Sequence, residues 1–294
     1  MHSQLVRRGE NRHMKFVSYK VGSGPVRGGV LEGDTIRPLQ ASGGDDVLAH
    51  IVSGSGRPRF DATSVAAEDV TLMAPLQRPP RIFGIGLNYR EHAAESKMKV
   101  QSVPTVFLKL ASSIVGPDAD VILPYDSTQP DYEAEFAVVI GAPGHRIAAS
   151  DWEKHVFGYT IVNDVSARDT QLATSQWTLG KSYPTFTPMG PAIVTKDEIA
   201  DPHALDIRLM LSGEVMQSAN TKDLIFRVPE LIAYISSVVP LEAGDIISTG
   251  TPPGVGLGRT PQRWLFPDEE MVIEIEGLGT LRNRTRAETR GDRA

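Results

Sequence analysis

The chain has 294 residues, of which 40% are hydrophobic, and a formal net charge of −6 without a long basic block, which argues against nucleic acid as a partner. It contains no cysteine, which excludes disulfide bonds, thiolate metal sites and a cysteine nucleophile, and which fits the reducing cytoplasm where we expect the protein. No run approaches the roughly 18 apolar residues of a membrane-spanning helix, so we expect no membrane partner.

The start of the chain is predicted to form a small β-rich module. Residues 1–13 are basic and lack the apolar stretch of a secretory signal, so we expect a disordered extension there. Residues 14–20 are typical of a strand, and residues 28–39 predict a hairpin that turns at a Glu-Gly-Asp triplet. A proline-rich connector at 75–80 ends this N-terminal module, which we place at 14–74.

The rest of the chain predicts one larger domain over 80–284, followed by a tail at 285–294. Short strands and long Gly/Pro loops dominate the domain, and strands do not alternate regularly with helices, so a doubly wound sheet is not expected. The best helix patterns cover residues 89–97 and 228–239. The sequence therefore predicts an α+β or mostly β fold with a sandwich-like core.

Residues 132–141, YEAEFAVVIG, alternate as a strand does, with Glu133 and Glu135 on one face and about 7 Å apart at Cα. Two carboxylates that share a face raise each other's pKa unless a positive charge lies between them. A divalent cation held by carboxylate oxygens resolves that conflict. The alternative is an edge strand with both glutamates in water, and the stretch itself fits both interpretations.

Asp164 follows a hydrophobic strand predicted at 156–163. A carboxylate at a strand end often caps a turn. If it lies beside Glu133 and Glu135, it completes three oxygen ligands for Mg²⁺ or Mn²⁺, with positions left for water and substrate.

His92 and Glu95 lie three residues apart on the helix predicted at 89–97, so they share a face, and a carboxylate beside an imidazole fixes its tautomer and raises its basicity. Lys181, in a Gly-Lys-Ser loop, is a candidate for binding a substrate carboxylate or stabilising an enolate. Residues 249–251 offer hydroxyl and N–H groups to an anion. The alternatives are an exposed helical pair, a solvated lysine and an ordinary turn.

Six stretches within 80–284 resemble the fumarylacetoacetate hydrolase family: GIGLNYREHAAE, PTVFLKLASSIVGP, DYEAEFAVVIG, GYTIVNDVSARDTQ, GKSYPTFTPMGP and ISTGTPPGVG. The resemblance implies a mixed β-sandwich roll, an additional N-terminal module, a homodimer and one Mg²⁺ or Mn²⁺. It is closer to the acylpyruvase and oxaloacetate decarboxylase branch than to the enzyme of tyrosine breakdown. Tyr183–Pro184 departs from the Phe-Asp of many relatives, which puts the presentation of Lys181 in question.

Roles for individual residues follow from their positions in the matched motifs. The implied metal ligands are Glu133, Glu135 and Asp164. The implied catalytic residues are His92 and Glu95, a lid dyad that activates water once a flexible segment closes, and Lys181, which contacts substrate. The implied substrate-binding residues are Arg168, Gln171 and Thr251.

The function implied by the resemblance is metal-dependent hydrolysis of a C–C bond in a 2,4-dioxo acid of the acylpyruvate or fumarylpyruvate type, in aromatic catabolism. It would proceed through a metal-stabilised pyruvate enolate, with a small 2-oxo acid as substrate. Two alternatives use the same metal site: decarboxylation of oxaloacetate, and isomerisation or decarboxylation of a 2-hydroxy-dienedioate. A non-enzymatic metal-stabilised scaffold is a third hypothesis, which the full set of candidate residues disfavours.

Overall fold

Strands dominate the protein, and the computed structural model describes them over residues 14–40, 47–54 and 56–293. The described strands are β1 (Lys15–Lys20), β2 (Arg27–Glu32), β3 (Thr35–Pro38), β4 (Val65–Ala66), β5 (Thr71–Met73), β6 (Ile82–Gly86), β7 (Thr105–Lys109), β8 (Ile114–Val115), β9 (Asp120–Leu123), β10 (Pro130–Asp131), β11 (Ala134–Ile140), β12 (Val156–Asn163), β13 (Ser166–Ala167), β14 (Thr187–Thr195), β15 (Asp206–Leu211), β16 (Glu214–Asn220), β17 (Ile246–Ser248), β18 (Glu270–Ile275) and β19 (Gly279–Ala287). The described α-helices are α1 (Val47–Ser53), α2 (Arg90–Glu95), α3 (Trp152–His155), α4 (Arg168–Gln171) and α5 (Val228–Val238).

The largest sheet joins strands from both predicted parts of the chain. Its hydrogen-bonded order in the described residues is β4-β3-β2-β1-β14-β12-β11-β17-β6-β7, with β5 beside β1 and β8 beside β14. The hairpin predicted at 28–39 is confirmed as β2 and β3. Because β1 pairs with β14, placing Lys15 opposite Val194, the N-terminal strands extend the main sheet. The division into modules at 14–74 and 80–284 stays a prediction, and residues 1–13 lie outside the described residues.

A second sheet, ordered β16-β15-β18-β19-β9, packs against the first. Apolar side chains of both sheets form one buried cluster in which Phe136 and Val138 of β11 join Leu209 of β15 and Ile273 of β18. Interdigitating inner faces of this kind are what makes a sandwich. The predicted α+β fold with a mixed β-sandwich core is therefore confirmed.

The predicted start of the tail at residue 285 lies too early in the chain, because strand β19 continues to Ala287. Thr285 is buried and its hydroxyl donates to the carbonyl oxygen of Phe266 at 2.6 Å. The strand also pairs in parallel with β9, with Thr285 opposite Val121. Strand β9 is distant in sequence, so the local pattern of residues 279–287 could not indicate this pairing.

Strand β11 is central in the main sheet, between β12 and β17. One of its faces, including Phe136, packs in the sandwich core, whereas Ala137 and Val139 on the other face pack in a second apolar cluster with Phe16 of β1. Since both faces and both edges are covered, the interpretation of this stretch as a solvated edge strand is wrong.

Both predicted helices are present. The helix predicted at 228–239 is α5, with the apolar residues Leu231 and Ile232 buried, and the helix predicted at 89–97 is the shorter α2. Lys97 has a positive φ of 55°, which a right-handed helix cannot continue through. Of the helices described, none is long and apolar enough to cross a membrane.

Candidate active site

The three predicted metal ligands lie together because of how β11 pairs with β12. The antiparallel register places Ala134 opposite Asn163, so Glu133 and Asp164 flank the same end of the strand pair. The backbone N–H of Asp164 donates to the carbonyl oxygen of Glu133 at 2.9 Å. Glu133, Glu135 and Asp164 are buried, and one oxygen of each lies within 4.8 Å of the others.

Buried cations surround two of these carboxylates. The ammonium of Lys181 lies 2.6 Å from Glu133 Oε2 and 2.7 Å from Asp164 Oδ2, and Arg168 Nη2 lies 2.6 Å from Glu133 Oε1. Burial opposes ionisation of Glu133, but the charges of Lys181 and Arg168 outweigh it and hold the pKa of Glu133 well below its usual range. The interpretation of Lys181 as a solvated loop lysine is therefore wrong.

Glu135 differs from its neighbours because its partners are neutral. Its Oε2 accepts hydrogen bonds from the Ser248 hydroxyl at 2.6 Å and the Gly250 N–H at 3.0 Å. Burial, followed by the negative charges of Asp164 and Glu133, raises the pKa of Glu135 well above its usual value. Among the described residues, Glu135 is therefore a buried carboxylate without an ion pair that lies beside two other carboxylates.

The donor set fits one divalent ion. Three carboxylates supply hard oxygen donors at a spacing that one small ion can bridge, and hard oxygen ligands are those that Mg²⁺ and Mn²⁺ prefer. Asp164 Oδ1 is a buried acceptor that receives no well-directed hydrogen bond, although Lys109 Nζ lies 2.6 Å away. An ion at this place would satisfy that oxygen and relieve the charge conflict at Glu135.

Lys109 is a site residue that the sequence analysis missed. Its ammonium, which is fully buried, donates to the carbonyl oxygens of Lys181 and of Phe186, the latter at 3.0 Å, and lies beside Asp164. Burial lowers the pKa of Lys109, and the nearby charge of Asp164 opposes that shift. The alternation of β7 gave no signal for this burial, because Lys109 shares a face with Phe107 whereas the apolar Val106 and Leu108 lie on the opposite, exposed face.

The predicted pair on α2 faces inward. His92 Nδ1 lies 2.9 Å from Glu95 Oε1, and the two side chains are only 8% and 18% exposed. Both carboxylate oxygens of Glu95 also accept from the N–H of Gly254, at 3.1 and 2.9 Å. The interpretation as an exposed helical pair is wrong, and the engagement of Nδ1 leaves Nε2 of His92 for a substrate or water.

The three predicted substrate contacts line the same cavity as His92 and Lys181. Arg168 Nη1 donates to Gln171 Oε1 at 2.9 Å, and Thr251 Oγ1 accepts from Gln217 at 2.8 Å. Apolar walls come from Met98, Phe107, Leu172, Trp177 and Leu257. The cavity measures about 30 Å³, room for one or two waters, so a substrate requires its walls to move apart.

The unusual residues after Lys181 do not displace it. The Tyr183 hydroxyl lies 3.1 Å from Thr170 Oγ1, and its ring packs on Phe186 with centroids 5.4 Å apart. Tyr183 thereby anchors the loop to α4. Lys181 still reaches Glu133, so the departure from the Phe-Asp pattern leaves the lysine in place.

Asp131 is a second buried residue that the sequence analysis missed. Its Oδ2 accepts from Arg168 Nε at 2.9 Å, and its two oxygens accept from the N–H groups of Gly256 and Leu257 at 2.7 and 2.9 Å. It lies two residues before Glu133 but does not line the cavity. Nothing in its local pattern distinguishes it from a turn residue, because its partners are 37 and 125 residues away.

Comparisons with known proteins identify families that match most of the chain. The family model described as fumarylacetoacetate (FAA) hydrolase C-terminal matches residues 81–286, and the model described as Rv2993c-like, N-terminal matches residues 14–75. Oxaloacetate tautomerase FAHD2A, mitochondrial, from Bos taurus is 49% identical over 218 residues, which cover 74% of this chain and 69% of the relative.

Two solved structures share the fold over 94% of this chain and 100% of their own. A fumarylacetoacetate hydrolase from psychrophilic Exiguobacterium antarcticum has a TM-score of 0.83 at 36% identity. A 2-hydroxyhepta-2,4-diene-1,7-dioate isomerase from Mycobacterium marinum has a TM-score of 0.79 at 33% identity. On sequence, fold and the acidic cluster together, the chain belongs to the fumarylacetoacetate hydrolase family of enzymes.

Proposed function

We propose that the chain is a divalent-metal-dependent enzyme that interconverts the enol and keto forms of oxaloacetate or of a closely related 2-oxo dicarboxylic acid. The observation that carries the proposal is one cavity in which His92 faces buried carboxylates and buried cations. The names of the bovine and human relatives, both oxaloacetate tautomerases, support this choice of reaction.

Enol–keto conversion moves one proton and leaves the carbon skeleton intact. The enol O–H proton departs, the C=O bond forms, and C3 takes a proton with the electron pair of the former C=C bond. The reaction needs a group near C3 that gives and takes a proton, and positive charge that stabilises the developing oxyanion.

His92 fits the role of proton carrier. Glu95 holds its Nδ1, so Nε2 is the nitrogen that can exchange a proton with C3 of the substrate. The negative charge of Glu95 also stabilises the imidazolium form that exists between the two proton transfers. Both side chains are shielded by the chain around them, which limits exchange with bulk water.

Lys181 and Arg168 fit the binding of a diacid. Both are buried cations on the cavity wall, and Gln171 and Thr251 add neutral hydrogen-bonding groups there. Held by Glu133, Glu135 and Asp164, Mg²⁺ or Mn²⁺ would supply a Lewis acid that polarises the 2-oxo oxygen. Charge–charge attraction then orients the acid with C3 toward His92.

Hydrolysis of a 2,4-dioxo acid is the second candidate, and the His92–Glu95 pair is the observation that favours it, because such a pair can also take a proton from water. Decarboxylation of oxaloacetate and isomerisation of a dienedioate use the same cavity and need no attacking water. The homodimer, the role in aromatic catabolism and the cytoplasmic location stay predictions.

The test follows the ultraviolet absorbance of enol oxaloacetate with Mn²⁺-loaded protein, and measures pyruvate released from oxaloacetate and from an acylpyruvate. We expect fast loss of enol absorbance with little pyruvate from either compound, and a drop of about 100-fold or more in His92→Gln. His145→Gln, on the surface, is the matched control and should retain full activity. Rapid acylpyruvate cleavage without enol conversion would favour the hydrolase instead.

A further inference from the structure

We propose that Asp131 is a positioning residue that couples the docking of α2, which carries His92 and Glu95, to the orientation of Arg168. The proposal deepens the proposed function and rests on it for the role of the cavity. Asp131 is fully buried and lines no part of the cavity, so it acts through the groups that it holds.

Three of the four hydrogen bonds that Asp131 accepts come from two structures, and the fourth comes from the adjacent Tyr132. Oδ1 accepts from the N–H groups of Tyr132 at 2.9 Å and Gly256 at 2.7 Å. Oδ2 accepts from the N–H of Leu257 at 2.9 Å and from Arg168 Nε at 2.9 Å, with Arg168 Nη2 at 2.8 Å. A single carboxylate therefore fixes both a loop and an arginine.

The loop in question is the latch loop, residues 254–258, on which α2 docks. Its Gly254 N–H donates to both oxygens of Glu95. A Cβ at Gly258 would lie 2.6 Å from the Glu95 carboxylate carbon, and a Cβ at Gly256 would lie 1.9 Å from the carbonyl oxygen of Arg263. The glycines thus let the latch loop fit between Glu95 on one side and Asp131 on the other.

On the side away from the latch loop, Asp131 fixes the orientation of the Arg168 guanidinium. Arg168 Nε donates to Asp131 and Nη1 donates to Gln171, so two directed hydrogen bonds orient the plane of the guanidinium. Nη2 lies 2.8 Å from Asp131 and 2.6 Å from Glu133 and contributes charge attraction without a well-directed hydrogen bond. A continuous path of polar contacts runs from Glu95 through the latch loop and Asp131 to Arg168. A directed hydrogen bond between a carboxylate and a planar guanidinium fixes the orientation of the guanidinium as well as balancing its charge.

The coupling between the latch loop and Arg168 affects how the cavity opens and closes. The small cavity admits a substrate only when its walls move, and α2 is one of those walls. Because Asp131 holds both the latch loop and Arg168, a diacid that draws Arg168 into its bound orientation also favours the latch geometry that receives Glu95. Such coupling is a free energy shared by two sites, and double mutants measure it.

Hydrogen–deuterium exchange of residues 91–96 in the full-length Mn²⁺-loaded protein tests the proposal. Without ligand, Asp131→Asn should raise exchange in α2 about tenfold although Asp131 does not touch that helix, as Glu95→Gln should, and the double variant should add little. Asp169→Asn is the matched control, since Asp169 accepts from Ser127 and Thr128 away from the latch loop. Unchanged exchange in Asp131→Asn, with raised exchange in Glu95→Gln, would overturn the coupling.

Malate, a non-enolising diacid, provides the second readout. It should slow exchange in α2 of the wild type and of Asp169→Asn, whereas Asp131→Asn should bind malate without that protection. Asp131→Glu keeps the negative charge but displaces the carboxylate from the N–H groups of Gly256 and Leu257, so it should weaken the protection while malate still binds. It also serves if Asp131→Asn does not fold, and full protection in Asp131→Glu would then refute the proposal.

The two readouts separate this inference from the proposed function. Loss of coupling in Asp131→Asn in a protein that lacks tautomerase activity would support the inference and reject the reaction. Normal tautomerase activity with intact coupling in Asp131→Asn would do the reverse. Failure of malate to bind the wild type would count against a diacid substrate, and the ligand-free exchange would still decide the role of Asp131.

Discussion

A single buried carboxylate and a cluster of three lie at opposite ends of the paired strands β11 and β17. At one end, Asp245 accepts from Arg81 at 3.0 and 2.5 Å and from the N–H of Glu242 at 2.7 Å. At the other end, Glu133, Glu135 and Asp164 lie within 4.8 Å of one another. Both sites are buried, yet their electrostatics differ.

The two sites differ in how completely neighbouring cations and hydrogen-bond donors compensate the charge of each carboxylate. Asp245 has one arginine and one backbone donor, and its hydrogen bond raises the pKa of Arg81. In the acidic cluster, burial and neighbouring carboxylates raise the pKa of Glu135 instead. A buried ion pair such as Asp245–Arg81 has a structural role. A buried carboxylate whose pKa is raised by neighbouring carboxylates indicates a candidate ligand-binding site.

The largest expected effect is on metal binding. Asp164→Asn keeps the shape of the side chain and removes its charge, so it should lower Mn²⁺ affinity by about 100-fold or more, as measured by titration calorimetry. Asp245→Asn makes the same chemical change at the other end of the strands and should bind Mn²⁺ as the wild type does. Equal affinities for wild type and Asp164→Asn would remove Asp164 from the metal site.

At the Asp245 end of the strands, we expect loss of the carboxylate charge to lower stability instead of metal affinity. Asp245→Asn leaves the partly buried guanidinium of Arg81 with only the exposed carboxylate of Glu242 as counter-charge, and should lower the free energy of unfolding by about 2–3 kcal/mol in urea titrations. Glu242→Gln is the matched control, because Glu242 lies 3.2 Å from the same guanidinium but is 64% exposed. Its effect should stay below about 1 kcal/mol, and a larger loss there than in Asp245→Asn would contradict the comparison.

A smaller effect should follow from relieving the conflict in the acidic cluster. Glu135→Gln retains an oxygen that can accept from Ser248 and Gly250, so it should stabilise the metal-free protein by about 1 kcal/mol while it weakens Mn²⁺ binding. Thermal unfolding in the presence of a chelator measures this gain. A destabilised Glu135→Gln variant would mean that the carboxylates are not in conflict.

The gain in stability of the metal-free Glu135→Gln variant should depend on pH. Because the folded-state pKa of Glu135 lies above its ordinary value of 4.5, ionisation costs the folded protein more than the unfolded chain. The contribution of Glu135 to stability therefore falls as pH rises from about 4.5 through the folded pKa. The advantage of Glu135→Gln over the wild type should increase over that range, and an advantage that shrinks would contradict the assigned direction.

Local patterns in the sequence contained much of the site. Alternation predicted that Glu133 and Glu135 share a face, helical spacing predicted the contact between His92 and Glu95, and the end of a hydrophobic strand singled out Asp164. Each of these signals depends on residues within a few positions of one another. The resemblance to a family then joined these separate signals into one site.

Other features depend on partners that are distant in sequence. Lys109 and Asp131 read as ordinary strand and turn residues until β7 and the latch loop are brought against the acidic cluster. The burial of Glu133 and Glu135 could not be decided from β11 alone, since it depends on β12, β17 and the cations around them. The extension of the main sheet by β1 likewise depends on its pairing with β14.

The most direct test of the central claim is anomalous X-ray diffraction from a crystal grown with Mn²⁺. The account predicts one strong anomalous peak within about 2–2.5 Å of an oxygen from each of Glu133, Glu135 and Asp164. A well-ordered crystal with no peak there, or with Mn²⁺ bound only at other residues, would contradict it.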